Sequence, residues 1–201
     1  MQVADANTFT DHPRPVLKHL VAMAWLVVAT GCGSSSEDAT SPYAGEQGRA
    51  IKALSAQDVE GYLSGQGMGM AKAAELNHYP GPKHVLALAD ELGLTNTQRA
   101  RTERIFEKMQ AEAVRLGKQI LEKESRLNAL FADQEADPGG TRRRVREIGA
   151  LRGDLRFVHL EAHLKITDLL TEEQVQRYDQ LRGYNASAPP GQQHPVEKHQ
   201  H

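Results

Sequence analysis

The sequence predicts an all-α fold built on two long helices, and three observations carry that expectation. Charged residues make up 25% of the 201-residue chain and aromatics only 5%, a balance suited to extended, charge-laced helices rather than a thick core. Apolar residues recur every three or four positions over 95–132 and again over 141–169, the signature of helices with an apolar stripe. A short motif, Leu-Thr-x-x-Gln, occurs twice: as Leu94, Thr95 and Gln98, and as Leu170, Thr171 and Gln174.

Each copy of the motif reads as a helix start. The threonine side chain can accept from the backbone N–H three residues on, and the glutamine can reach back to the threonine's own N–H. Leu170 is placed to staple against Val175, whereas the first copy has Arg99 at that position and a weaker staple. Neither copy carries chemistry by itself.

The first long helix runs from Thr95 to about Ala132, with Ile105, Met109, Ala113, Leu116, Ile120, Leu127 and Phe131 on one face. At 1.5 Å per residue it spans roughly 55 Å. "DQEADPGG" interrupts it, because Pro138 and two glycines do not continue a helix. The second long helix is expected from Thr141 to Leu169, antiparallel to the first, so that the pair forms a hairpin. Its apolar residues make two stripes: Ile148, Leu151, Leu155, Val158, Ala162, Ile166 and Leu169 on one side, Phe157, Leu160 and Leu164 nearly opposite. A two-helix hairpin buries one stripe. The other needs the shorter helices, a second subunit or a client.

Shorter elements precede the long ones. Ser55 with Asp58 marks a helix start, the region from Gly65 to Pro82 reads as loop, and a short helix is expected from Lys83 to Leu92, ended by Gly93.

The N-terminus reads as an export signal. Arg14 and Lys18 precede ten apolar residues, 20–29, too few to span a bilayer but suited to a signal-peptide core. Small residues then lead to Cys32, as in a bacterial lipobox, where the cysteine is acylated and becomes the mature N-terminus. Ordinary signal cleavage beside an incidental cysteine is the alternative. Asp5 and Asp11 are unusual ahead of such a core, which leaves open a translation start nearer Val16. The resulting organisation is a signal peptide over 1–31, a flexible tether over 32–48, a helical domain over 49–184 and a polar tail over 185–201. The single cysteine excludes an intrachain disulfide, and a formal charge of −2 predicts no nucleic-acid partner.

Two Leu-Thr-x-x-Gln motifs around a long helical hairpin, behind an export signal, resemble the Spy/CpxP superfamily over residues 82–184. That superfamily comprises periplasmic chaperones, envelope-stress regulators, and heavy-metal sensors or zinc-resistance proteins. The resemblance implies a hooked helical hairpin that forms a cradle-like homodimer. It also implies ATP-independent holding of unfolded periplasmic proteins, or a periplasmic metal-binding role. A lipid anchor in a membrane facing the periplasm departs from the freely soluble chaperones of that group. A membrane signalling protein is a further expected partner.

For client holding, the candidate surface is Arg142, Arg143, Arg144 and Arg146 with Phe157, Leu160 and Leu164, extended by Arg152 and Arg156. The same arginines also read as a solvated face paired with acids on the first long helix. For metal binding, His159 and His163 stand one turn apart on one side of a helix, and His78 and His84 flank "YPGPK". The sensors carry His-x-x-x-Met on the corresponding helix; here the second position is His163, about three residues nearer the motif. Zn, Cu or Ni would be the ions, with no cofactor required, and the alternative is that these histidines simply border the core. No phosphate-binding glycine loop, nucleophile elbow or His-Glu-x-x-His occurs, and the chain is expected not to be an enzyme.

Overall fold

A computed structural model of the protein describes residues 41–184. Cys32, the apolar run 20–29, most of the tether and the tail from 185 lie outside the described residues. Among the described residues there are helices and turns but no strand. No described helix is long and apolar enough to cross a membrane.

The helices start where side-chain caps are available. Helix α1 (Ala56–Ser64) is opened by Ser55, which accepts from the Asp58 amide while the Asp58 carboxylate accepts from the Ser55 amide. Helices α2 (Lys72–Glu75) and α3 (Pro82–Ala87) are short. The single turn of α2 falls inside the region expected as loop, and α3 ends five residues before the expected Leu92. Helix α4 (Asn96–Ala132) and helix α6 (Glu172–Arg182) begin at the two threonines, each in a full capping box.

Helix α5 (Pro138–Thr167) begins three residues earlier than expected. Asp137 explains the difference. Its side chain accepts from the amides of Gly139 and Gly140, and proline at the first helical position gives up only an N–H that would be unpaired there anyway. The interruption after α4 is therefore confined to 133–137.

The two motifs do more than start helices. The Gln98 amide nitrogen donates to Gln174 Oε1 at 2.8 Å and to the Leu169 carbonyl at 3.1 Å. Gln174 returns a bond to Gln98 Oε1 and another to the Leu92 carbonyl, both at 3.2 Å. Each glutamine caps its own helix and clasps the other motif.

Helices α4 and α5 pack on each other along their length. Contacts that rise along one fall along the other: Gln98 meets Leu169, while Lys123 meets Glu147 and Glu124 meets Arg152, both at 2.7 Å. One core cluster gathers Leu54, Tyr62, Ala113, Leu116, Ile120 and Leu155, joining α1 to the long pair. A second gathers Val85, Leu92, Ile166 and Tyr178, tying α3 and α6 to the motif end. Gly117 lets α1 cross closely, since a Cβ there would stand 2.2 Å from the Tyr62 carbonyl oxygen.

Candidate functional site

Residues 65–84 lie over one side of α5 and cover the histidine pair. His159 is 3% exposed and His163 is 8% exposed, so both are buried. The His163 Nδ1 is 2.7 Å from the Tyr79 carbonyl. A carbonyl only accepts, so Nδ1 carries a proton. His159 Nε2 is buried and has no hydrogen-bond partner among the described residues. Burial, with His163 beside it, holds the His159 ring below the usual histidine range.

His84, His159, His163, Met68 and Met109 line one cavity of about 310 Å³. Burial also lowers the His84 pKa, with Arg182 contributing. The structure thus brings together three of the four predicted histidines. His78 is elsewhere: its Nδ1 faces Asp179 Oδ2 at 2.7 Å. Both Met68 and His78 hold positive φ, at 45° and 67°, a region that side-chain-bearing residues seldom occupy. Among the described residues no three His, Cys, Asp or Glu side chains are placed as a ready ligand set. Methionine sulfur from Met68 or Met109, which suits soft metals, lines the same cavity.

Next to this cavity sits a polar clasp that the sequence did not announce. Glu75 accepts from Tyr178 Oη at 2.5 Å and from Tyr184 Oη at 2.9 Å, with Arg182 Nε at 3.4 Å and His163 Nδ1 at 3.7 Å. Burial and the Glu75 carboxylate push the Tyr178 pKa well above the ordinary phenol range. Glu75 thereby fastens α6 to α2 beneath the histidines. The only hint in the sequence is a lone acid within a breaker-rich stretch.

The expected client surface is divided. Phe157 and Leu164 are 59% and 48% exposed, Leu160 is half-buried, and the shorter helices do not cover this stripe. Arg142, Arg143 and Arg146 are exposed at the start of α5, beside the exposed Phe131 and Val145. Arg144 is half-buried, and its Nε has no hydrogen-bond partner among the described residues. Pairing with the first long helix is realised at Arg152, through Glu124. Among the described residues, Arg142, Arg143, Arg144, Arg146 and Arg156 make no ion pair.

On the other side of the α4–α5 seam an open trough of about 580 Å³ runs along the motif end. Its floor is Ile105, Met109, Val158, Ala162 and Leu169, and charged residues form both rims. Comparisons with protein families, with curated proteins and with solved structures find no match to this chain.

Proposed function

We propose that this chain is an exported, lipid-anchored protein of the bacterial periplasm that holds unfolded envelope proteins without nucleotide. It would act as a homodimer, with α4 and α5 as an antiparallel hairpin in the manner of the Spy/CpxP superfamily. The observation that carries this proposal is the exposure of Phe157 and Leu164 on a helix whose N-terminal arginines form no ion pair among the described residues. Contiguous exposed apolar surface marks an interaction site. The arginines lie roughly 16–22 Å along the helix from Phe157, and such cations attract acidic chains over a range that salt shortens. Aggregation of a reduced or heat-unfolded client provides the test. The purified protein suppresses it at a few-fold molar excess, and reversing Arg143 and Arg146 to Glu weakens suppression while helicity stays intact. No suppression across several clients contradicts the proposal.

The histidine cavity supports a second function, binding of a soft or borderline metal ion. What favours it is His159 Nε2, buried and without a hydrogen-bond partner among the described residues, with His163 on the same cavity and its Nδ1 engaged by the Tyr79 carbonyl. A ring whose other nitrogen donates to a backbone carbonyl is oriented as metal-ligating histidines are. His84, Met68 or Met109 would complete the shell. Titration with Cu(I), Zn or Ni salts followed by melting checks this, since a ligand for the folded state alone raises the melting temperature. His163→Ala removes that rise and His199→Ala does not. Equal binding by the His163→Ala protein rules out this site.

A further inference from the structure

The turn between α1 and α2 folds back on α1, and the Met68 thioether is what touches it. A Cβ on Gly61 would stand 2.7 Å from Met68 Sδ, 3.1 Å from its Cγ and 3.2 Å from its Cε. The end of the methionine side chain therefore lies flat on a glycine that is itself buried. Local backbone preference does not hold this turn in place. Met68 sits at φ 45° between Gly65 and Gly69, at 66° and 75°, and left-handed backbone is uncommon for a residue with a side chain. The seat on Gly61 supplies what local preference does not. The same turn covers the histidines: a Cβ on Gly67 would stand 4.0 Å from His159 Nδ1, and Gly67 and Met68 both line the histidine cavity.

We propose that Met68 is a reversible oxidation site, and that oxidation of its sulfur by hydrogen peroxide opens the 65–70 turn and gives access to the histidine cavity. This holds with or without an ion in the cavity, and so stands apart from the metal-binding function. In the step, the thioether sulfur attacks one peroxide oxygen, an S–O bond forms and the O–O bond breaks. The transferred oxygen loses its proton to the departing hydroxide, which leaves as water. Sulfur gives up two electrons, peroxide takes them, and the product is methionine sulfoxide. Reach and consequence coincide at this residue. Met68 is 39% exposed, whereas Met70 is half-buried against the core cluster of α1 and Met109 is half-buried on α4. A sulfoxide oxygen is polar and costs free energy where it finds no hydrogen-bond donor. The amides of Gly65 and Gln66, at the end of α1, are already committed to the Gly61 carbonyl, and no atom fits between the sulfur and Gly61. The oxidised side chain leaves its seat, and the left-handed turn that depends on the seat goes with it. A methionine sulfoxide reductase restores the thioether.

Peroxide treatment of the full chain, followed by peptide mass spectrometry, reads the order of oxidation. Met68 should form sulfoxide before Met70 and Met109. Diethyl pyrocarbonate, which acylates a neutral imidazole that it can reach, then reads the cavity. Acylation of His159 should be slow in the untreated protein and rise on the order of tenfold once Met68 is oxidised. It should fall again after treatment with sulfoxide reductase. His78, whose side chain is exposed, reacts throughout and serves as the reference. Met68→Leu keeps an apolar side chain of similar size without the sulfur, so its His159 should ignore peroxide. Met68→Gln puts a polar side chain on the seat and should raise His159 acylation without peroxide. Circular dichroism verifies that both variants fold. Oxidation of Met70 or Met109 ahead of Met68 overturns the assignment of the site. His159 as protected in the Met68 sulfoxide protein as before treatment, or a Met68→Leu protein that responds to peroxide as the parent does, overturns the link to the cavity.

Discussion

Replacing Gly117 with alanine should destabilise the domain, against the helix preference of the residue introduced. Alanine is favoured over glycine in a helix interior by about 1 kcal/mol, so local preference predicts a gain. The packing predicts a loss. A Cβ at position 117 would sit 2.2 Å from the Tyr62 carbonyl oxygen and 2.9 Å from its carbon. Those atoms are backbone, so no rotamer change relieves the clash, and α1 must move by roughly 1 Å to restore van der Waals separation. That shift disturbs Leu54, Tyr62, Leu116 and Ile120, which share one core cluster. Overpacking of this kind costs about 1–3 kcal/mol, or more where backbone must shift. The net expectation is a loss of about 2 kcal/mol, or roughly 4–8 °C in melting temperature for a domain of this size. Gly149 and Gly153 on α5 are the controls, since a Cβ at either meets nothing within 4 Å. Alanine there should stabilise by about 0.5–1 kcal/mol each. Urea unfolding followed by circular dichroism measures all three. A Gly117→Ala protein as stable as the parent would show that α1 does not cross α4 at this point.

The remaining predictions concern the clasp, the histidines and the anchor. Thr95→Ala removes one cap acceptor and should cost about 1 kcal/mol. Gln98→Ala should cost about 2–3 kcal/mol, because the Thr95 amide, the Leu169 carbonyl and Gln174 all lose a partner. A double-mutant cycle with Gln174→Ala should show coupling between the motifs. His159 and His84 have depressed pKa values in the fold, so the unfolded chain binds protons more readily than the folded one. Stability should therefore fall as pH drops below about 6.5, before the carboxylates titrate. Denaturant titrations at several pH values should show a shallower dependence in His159→Phe. Cys32 should carry lipid, and mass spectrometry of the mature N-terminus reads this directly; a free thiol or another start residue counts against it.

The helices were legible because capping and periodicity are local. Thr95 with Gln98, Thr171 with Gln174, and Ser55 with Asp58 all cap as spacing alone suggests. Composition alone puts the start of α5 too late, because the Asp137 cap turns a breaking Pro-Gly-Gly into a helix start. The meeting of Gln98 with Gln174 was not legible, since it depends on the register of residues more than seventy positions apart. Histidine spacing suggested a shared face on α5, but spacing cannot say that 65–84 folds over that face and buries it. Glu75 was invisible for the same reason. Its role follows from Tyr178, Tyr184, Arg182 and His163, which reach it from distant parts of the chain.

Client capture at the exposed stripe of α5 is the central claim, and site-specific photo-cross-linking tests it most directly. A photoreactive side chain is placed at position 157 or 164, and for comparison at the exposed position 149. Each protein is mixed with the same client, once folded and once unfolded. The account predicts cross-links from 157 and 164 to the unfolded client, weakened by added salt, with little from 149 and none to the folded client. Equal cross-linking from all three positions, or none from 157 and 164 while aggregation is still suppressed, would contradict it.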